Sequence, residues 1–332
     1  MNRHRTALLA LSAIALLLLA GVAIAHVPEF PRDNDSPDRA LSIPNPAKSW
    51  VFYDALPAGG ATYYAVDLQA GDRLVLRLFT PRAGEFTPSL VVMSPTIEGR
   101  DEVPESVTVP DGYGARVIEG ERASNADYEP FTPAAFYSTV SVDRRVDAGG
   151  TYLVAVYAPE FRAGPVGVVV GYEESFSAAE YLTVPYDRQR IHLWEGQSTG
   201  LVFGPGFLVL LGGLIVLGRG LSGSQLTIRT LIGLAALLFV AGAVSTAVQT
   251  AIAISKAGLD GGAVLTAAFV LIPGAIGVWL LRLALEDGLP TTRRTKVGLF
   301  VAGAIGLLTW GGYVLGPVVA IVVAVLPWDR LP

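Results

Sequence analysis

Two histidines of this sequence are suited to bind a transition metal. His26 directly follows Ala23-Ile24-Ala25, so cleavage after Ala25 would make it the mature N-terminus. An N-terminal histidine offers its α-amine and a ring nitrogen to one ion, and nitrogen ligands of this kind suit Cu(II). His192 is the only other histidine beyond the N-terminal segment. The hypothesis is a copper site built from His26 and His192. The alternative is that both are incidental, because two histidines so far apart in sequence are a weak ligand signature.

Three aspartates, Asp33, Asp35 and Asp38, lie in a turn-rich stretch with the spacing D-x-D-x-x-D. Carboxylate oxygens are the ligands that Ca²⁺ prefers. No glycine or distal glutamate completes an EF-hand loop around them. The two interpretations are therefore a calcium site and a solvated turn.

Motifs for enzymatic chemistry are not evident. The sequence contains neither H-E-x-x-H nor a P-loop, and we expect no G-x-S-x-G pattern of a serine nucleophile. There are no cysteines, which excludes disulfides, thiolate metal sites and cysteine nucleophiles. The prediction is a protein that is not an enzyme.

The first 25 residues have the pattern of a secretory signal peptide. Arg3, His4 and Arg5 precede an apolar run from Ala7 to Ala20, and the small residues at 23 and 25 match a cleavage signature. An uncleaved anchor is the alternative, since this segment would just span a bilayer. Either interpretation places the soluble domain, which begins at residue 26, outside the cytoplasm.

Charge is unevenly distributed along the chain. Residues 26–197 carry 25 Asp and Glu against 14 Lys and Arg, a net charge of −11, while the remainder carries +6. An acidic domain argues against nucleic acid as a partner, because nucleic acid attracts lysine and arginine clusters.

Residues 199–328 are predicted to be a bundle of four transmembrane helices in the lipid bilayer. The spans run approximately over Leu201–Leu217, Leu231–Ile254, Ala263–Leu285 and Val297–Val325. A tilt, kink or break is expected in the last, which contains Gly316-Pro317. Basic residues flank the first and third connections, which the positive-inside rule places in the cytoplasm. This predicts a multi-pass protein of the cell membrane, with the soluble domain and the C-terminus outside.

The second span contains a polar patch, Ser245, Thr246, Gln249 and Thr250. The interpretation favoured is hydrogen bonding between helices, and the alternative is a path for a small solute. The Gly312-x-x-x-Gly316 spacing suits close helix packing, within the chain or with a membrane or envelope partner or a second copy.

Residues 26–176 are predicted to form an all-β antiparallel sandwich, and residues 177–198 a stem. In Arg73–Phe79 the leucines fall on one face and the arginines on the other, as a half-buried strand requires. The other predicted strands are Tyr63–Leu68, Ser89–Met93, Ser106–Val109, Ala115–Glu119, Phe136–Val142, Thr151–Val156 and Val166–Tyr172.

Several motifs of this region resemble the bacterial pre-peptidase C-terminal (PPC) domain over residues 33–172. They are Asn34-Asp35-Ser36, the turn Ala70-Gly71-Asp72, Pro88-Ser89-Leu90-Val91-Val92 and Ala148-Gly149-Gly150-Thr151-Tyr152-Leu153-Val154. Two departures are Phe86-Thr87-Pro88, where the family usually has an aspartate, and a long insert over 94–133. The resemblance implies a small jelly-roll sandwich that acts as an accessory binding module.

Together these features predict a membrane-anchored extracytoplasmic binding or interaction module, a non-catalytic subunit of an envelope complex. The alternatives are an extracytoplasmic copper-handling protein and a transporter or channel accessory subunit. The lack of Asp, Glu and His deep in the predicted spans makes the last the least favoured.

Overall fold

A computed structural model describes residues 26–328, except 83, 85, 122, 222–225, 287–288 and 290–291. The predicted signal peptide, residues 1–25, lies outside the described residues. The chain divides into two compact units. Of the described residues, a β unit comprises 26–129 and Ala135–Tyr181, and a helical unit comprises Pro130–Ala134 and 182–328.

The described residues of the β unit form two sheets. The six-stranded sheet has the order β1-β3-β11-β5-β9-β8 and the five-stranded sheet the order β2-β4-β10-β6-β7. The strands are β1 (Val27–Glu29), β2 (Leu41–Ser42), β3 (Trp50–Leu56), β4 (Ala61–Leu68), β5 (Arg73–Thr80), β6 (Ser89–Ser94), β7 (Gly114–Ile118), β8 (Asp127–Glu129), β9 (Ala134–Arg145), β10 (Gly150–Tyr157) and β11 (Gly164–Val170).

One hydrophobic core takes side chains from both sheets. Leu74, Leu76 and Leu78 of β5 and the alternate residues of β11 enter it from one sheet, and Val154 and Val156 of β10 enter it from the other. A two-residue alternation places one side of each strand in this core. The core holds the two sheets together without disulfides, as the cysteine-free sequence requires.

Most predicted strands are present, although one is absent and several strands were not predicted. Ser106–Val109 is not a strand, and the strand Trp50–Leu56 was not predicted, nor were the short strands β1, β2 and β8. β3 lies between β1 and β11, and six of its seven residues are buried. A strand buried on both faces has no alternation for the sequence to display.

The helical unit begins within an unexpected helix. Residues 177–198 were predicted only as a stem, but α1 runs over Ala178–Trp194 within them. Five further helices follow: α2 (Thr199–Gly220), α3 (Leu226–Ala257), α4 (Gly262–Leu285), α5 (Arg293–Leu308) and α6 (Leu315–Val325).

Among the described residues, three helices, α2, α3 and α4, are long and apolar enough to cross a membrane. The fourth predicted span is instead divided into α5 and α6. At 1.5 Å per residue, α5 is about 24 Å long and α6 about 16 Å, against a hydrocarbon core of about 30 Å. The expected interruption therefore occurs, but it lies before Gly316-Pro317 rather than at it.

The break between α5 and α6 has an unusual backbone. Trp310, Tyr313 and Val314 all have positive φ, with values of 47°, 56° and 66°. Such a conformation is costly for residues with a side chain, and most of all for a β-branched valine. The chain reverses here, so that the Lys296 Nζ atom near the start of α5 donates to the Leu326 carbonyl, 2.7 Å away, after the end of α6.

Glycines allow the broken segment to pack closely on α3. Phe239 of α3 is fully buried, and a Cβ at Gly306 would lie 2.4 Å from its ring. A Cβ at Gly316 would lie 3.2–3.3 Å from α3 atoms. Gly312 and Gly316 thus serve close packing, as predicted, but they belong to different elements.

Candidate functional site

A cavity of about 430 Å³ at one end of the β unit is the candidate functional site. Its volume is in the range typical of small-molecule sites. Side chains of both sheets line it. The apolar ones are Leu74, Val92, Ile97, Ile118 and Val146, and the polar ones are Thr96, Glu98, Arg116, Arg144, Arg145, Asp147 and Tyr152.

The end of the β9–β10 connection forms one wall of this cavity. The Tyr152 hydroxyl donates to the Ala148 carbonyl, 2.8 Å away, and lies 3.2 Å from the Thr96 hydroxyl. These contacts fix the position of the phenol at the rim. Ala148-Gly149-Gly150 belongs to a motif singled out in the sequence, but no local pattern associates Tyr152 with a cavity.

Arginine side chains form much of the remaining rim. The Arg116 guanidinium donates to the carbonyls of Glu98 and Ala115, at 2.6 and 3.0 Å, and lies 3.5 Å from an Asp101 oxygen. An Arg145 NH group donates to the Gly71 carbonyl at 2.8 Å. These residues were not predicted as site residues. The signal that points to Arg116 is a cation at a strand position where alternation expects an apolar side chain. Arg145 lies on the side of β9 opposite Val140 and Val142 and gives no such signal.

His26 lies in the β unit and is mostly buried. Its Nδ1 atom is 2.5 Å from the Ser49 hydroxyl. Burial, reinforced by the positive charge of Arg77, lowers the pKa of His26 from 6.5 to about 4. The ring is therefore neutral at pH 7, which is the form that binds metal. Asp127 and Glu129 line the same 190 Å³ cavity as His26.

His192 lies in the helical unit and is almost completely buried. Its Nδ1 atom is 3.3 Å from a Glu195 carboxylate oxygen, and burial lowers its pKa despite this neighbour. Within the described ranges, no group of three or more His, Cys, Asp or Glu side chains is placed to hold a metal ion. The copper site of His26 and His192 remains a prediction.

The three N-terminal aspartates are placed in separate local contacts. Asp33 has a positive φ of 59°, Asp35 forms an ion pair with Arg39, and Asp38 lies in a short 3-10 turn, Pro37–Arg39. The calcium site of Asp33, Asp35 and Asp38 also remains a prediction.

Asn34, between Asp33 and Asp35, has a structural role. Its side-chain amide donates to the buried Asp54 carboxylate at 3.2 Å, and the Tyr64 hydroxyl donates to the same oxygen at 2.6 Å. The Ala55 amide donates to the other oxygen of Asp54 at 2.7 Å. Burial and the Asp54 charge raise the pKa of Tyr64, which stays a donor. The shared hydrogen bonds to Asp54 therefore attach the segment around Asn34 to the core.

The polar patch of the second span makes the predicted hydrogen bonds between segments. Ser245 contacts the Tyr313 hydroxyl at 3.0 Å, and Gln249 exchanges two hydrogen bonds of 2.9 Å with the side chain of Gln197. Thr246 accepts from Arg188 of α1, at 3.4 Å. A charged group of the predicted stem therefore reaches this patch.

The small cavity beside this patch has no room for a solute path. Its volume of about 20 Å³ is close to that of one water molecule. Arg188, Ser245, Thr246 and Tyr313 are among its lining residues. These contacts match the role of polar residues as interhelical contacts in membrane proteins.

One segment of the chain matches a catalytic pattern. Gly196-Gln197-Ser198-Thr199-Gly200 matches G-x-S-x-G, so the expectation that no such pattern occurs is wrong. A nucleophile elbow requires a strand before the serine, but this segment connects α1 to α2. Ser198 is the N-cap of α2, and its hydroxyl accepts from the Leu201 amide at 3.3 Å. Its role is structural.

Comparisons with known proteins identify no family for this chain. No protein-family model matches it, and no curated protein does. Among solved structures, the chain is similar to CorA, a surface-associated copper-binding protein important in copper acquisition by Methylomicrobium album BG8. The identity is 12%, the match covers 45% of this chain and 99% of CorA, and the TM-score is 0.21. A likeness this slight carries no argument about copper.

Proposed function

We propose that this chain is a membrane-anchored, non-catalytic binding module whose β unit is a sandwich outside the cytoplasm. The observation that carries the proposal is the cavity of about 430 Å³ lined by residues of both sheets. Small-molecule sites combine apolar walls with polar groups that orient the ligand. This cavity has both, and its lining is more polar than usual, with seven polar side chains beside six apolar ones, Ala148 included. The resemblance to PPC domains, which are accessory binding modules, points the same way.

Native mass spectrometry of the full chain, purified gently in lipid nanodiscs, tests this proposal. Ala148→Trp places an indole in the cavity, and Ala70→Trp places one on an exposed turn as the matched control. We expect the unaltered chain and Ala70→Trp to retain a small molecule that Ala148→Trp loses. If all three have the mass of the bare chain, or retain the same molecule, the cavity is not a binding site.

The proposed membrane arrangement has three crossing helices and a re-entrant hairpin. Basic residues at the end of α2 and the start of α5 favour a cytoplasmic location for those ends by the positive-inside rule. The β unit is then outside. Because Lys296 contacts the Leu326 carbonyl and lies 5.2 Å from the centre of the Trp328 ring, the end of α6 lies on the cytoplasmic side too. This revises the prediction that the C-terminus is outside.

Single-cysteine labelling tests this arrangement cleanly, because the native chain has no cysteine. In intact cells or spheroplasts, a membrane-impermeant maleimide should label Gly258→Cys, in the connection between α3 and α4. It should label Thr292→Cys and Pro332→Cys only after the membrane is opened. Labelling of Pro332→Cys in intact cells would mean that the last apolar segment crosses the membrane, and the proposed re-entrant hairpin would be wrong.

A further inference from the structure

Each sheet of the β unit places one arginine on its core-facing side, at the end where the cavity opens. On β9, Val140 and Val142 point into the core, and alternation gives Arg144 the same direction. Arg144 is paired across the strands with Leu74, itself a core residue. An arginine therefore stands where the pattern of the strand calls for an apolar side chain.

The second sheet repeats this arrangement. On β7, Ile118 packs against the core, and Arg116, two residues earlier, lies on the same side of the strand. Arg116 is paired with Val92, another core residue. Arg116 and Arg144 come from different sheets and line the same cavity.

The two arginines differ in how far their guanidinium groups are already engaged. Arg116 is held in place by the carbonyls of Glu98 and Ala115. In the part of the chain that the structure describes, no hydrogen bond or ion pair is found for the Arg144 guanidinium. Arg116 is therefore a fixed donor, and Arg144 is a donor available to a ligand.

The charge of the cavity departs from that of the domain around it. Three arginines and two acidic residues line it, whereas residues 26–197 as a whole carry −11. A guanidinium binds a carboxylate or phosphate through paired, charge-assisted hydrogen bonds. The Thr96 and Tyr152 hydroxyls at the rim can form hydrogen bonds with the hydroxyl groups of a ligand that carries such an anion.

We propose that this cavity binds the oxyanion group, carboxylate or phosphate, of a small hydroxylated molecule such as an acidic sugar. Arg144 binds the anion and Arg116 stabilises it from the other sheet. This inference rests on the proposed binding function and names the chemistry of its ligand.

Three sugars that share one ring test the inference by calorimetry on the full chain in nanodiscs of neutral phosphatidylcholine. The probes are glucuronate, glucose 6-phosphate and glucose, which differ only at carbon 6. We expect at least one of the two anions to bind about tenfold or more tightly than glucose, and the preferred anion distinguishes a carboxylate ligand from a phosphate ligand.

Charge-matched variants locate the anion. Arg144→Gln should weaken anion binding about tenfold or more, and Arg144→Lys should restore part of it. Arg116→Gln should weaken it also, and an unchanged unfolding midpoint shows that the variant is folded. Arg32→Gln removes the same charge from an exposed residue that does not line the cavity, and should leave binding unchanged.

The outcomes separate this inference from the proposed function. If the chain retains a molecule that Ala148→Trp loses, but neither anion binds better than glucose or Arg144→Gln has no effect, the oxyanion inference is wrong and the binding function stands. If neither anion binds and no molecule is retained, both are wrong.

Discussion

The two units of this protein treat buried carboxylates differently. In the β unit, both oxygens of Asp54 accept hydrogen bonds, from Asn34 and Tyr64 on one side and the Ala55 amide on the other. In the helical unit, Glu195 accepts from Gln197 through one oxygen, whereas its other oxygen has no hydrogen-bond partner among the described residues. The buried carboxylate of the β unit thus has both oxygens hydrogen-bonded, although the buried hydroxyls of Thr62 and Thr80 in the same unit have no hydrogen-bond partner among the described residues. The helical unit encloses the Glu195 carboxylate with only one of its oxygens hydrogen-bonded. We therefore expect the stability of this unit to depend more on packing.

The largest effect is expected from removing the main packing residue of the helical unit. Phe239→Ala leaves a cavity beside the broken segment, and we expect the free energy of unfolding of this unit to fall by about 3–5 kcal/mol. Phe203→Ala is the control, because Phe203 of α2 is 46% exposed. Hydrogen–deuterium exchange in nanodiscs should show faster exchange in α3, α5 and α6. Equal effects of both variants would refute packing on Phe239 as the source of stability.

A pH titration is expected to have the next largest effect, in the β unit. The pKa of His26 is about 4 in the folded chain, against an ordinary value of 6.5 that applies to the unfolded chain. The unfolded chain therefore binds more protons between these two pH values. The contribution of the neutral His26 ring to the free energy of unfolding is complete above pH 6.5. It is lost as the pH falls toward 4, by up to about 3 kcal/mol.

Urea titrations read by pulse proteolysis of the β unit, at pH 7.5 and pH 4, measure this loss. His26→Gln should reduce the difference between the two pH values. An equal loss in the variant would mean that other groups cause the acid sensitivity.

The same amide substitution in both units should have different consequences. Asp54→Asn turns an NH₂ group toward one of the donors around Asp54, and we expect a loss of about 1–3 kcal/mol in the β unit. Glu195→Gln removes a buried charge and keeps an acceptor for Gln197, so we expect no loss in the helical unit. The unfolding midpoints of the two variants check this pair. A loss of stability with Glu195→Gln would contradict the contrast between the units.

The smallest effect is expected for a single hydrogen-bonded pair between helical segments. Gln249→Ala removes the two bonds to Gln197, and interhelical bonds of this kind contribute about 1 kcal/mol in membrane proteins. Thr250→Ala is the matched control, since its hydroxyl bonds to the Thr246 carbonyl of the same helix. Hydrogen–deuterium exchange rates in α3 measure the difference in stability between the two variants. A loss above about 3 kcal/mol for Gln249→Ala would show that polar contacts dominate this unit.

Much of the β unit could be predicted from the two-residue periodicity of its strands. Arg73–Phe79 was predicted and β5 is Arg73–Thr80, and Thr151–Val156 was predicted where β10 is Gly150–Tyr157. The candidate site was not predicted. The predicted strand ended at Val142, whereas β9 continues to Arg145. This short extension carries Arg144 to the cavity, and a charged strand end gives no hydrophobic signal.

The helical unit could be predicted only where a helix is long and uniformly apolar. Hydropathy averaged over a whole span does not register the backbone reversal at Trp310–Val314, because this short uncharged segment lies between two long apolar runs. The helix in the stem was not predicted because its sequence is too polar to resemble a membrane helix. α1 contains Pro185 and many polar residues, and contacts such as that of Arg188 with Thr246 come from tertiary packing rather than from local pattern.

The strands at the edges of the two sheets are all short in the described part of the chain. β1 and β8 have three residues each, β2 has two and β7 has five, and the Gly99–Asp101 backbone already pairs with Ala115 of β7. Long open edges invite strand addition and aggregation between copies. Confinement to a membrane raises the local concentration of neighbouring copies, so this protection matters more here than in free solution. Edges this short are unsuited to strand addition, so we expect neither sheet to be extended by a second copy.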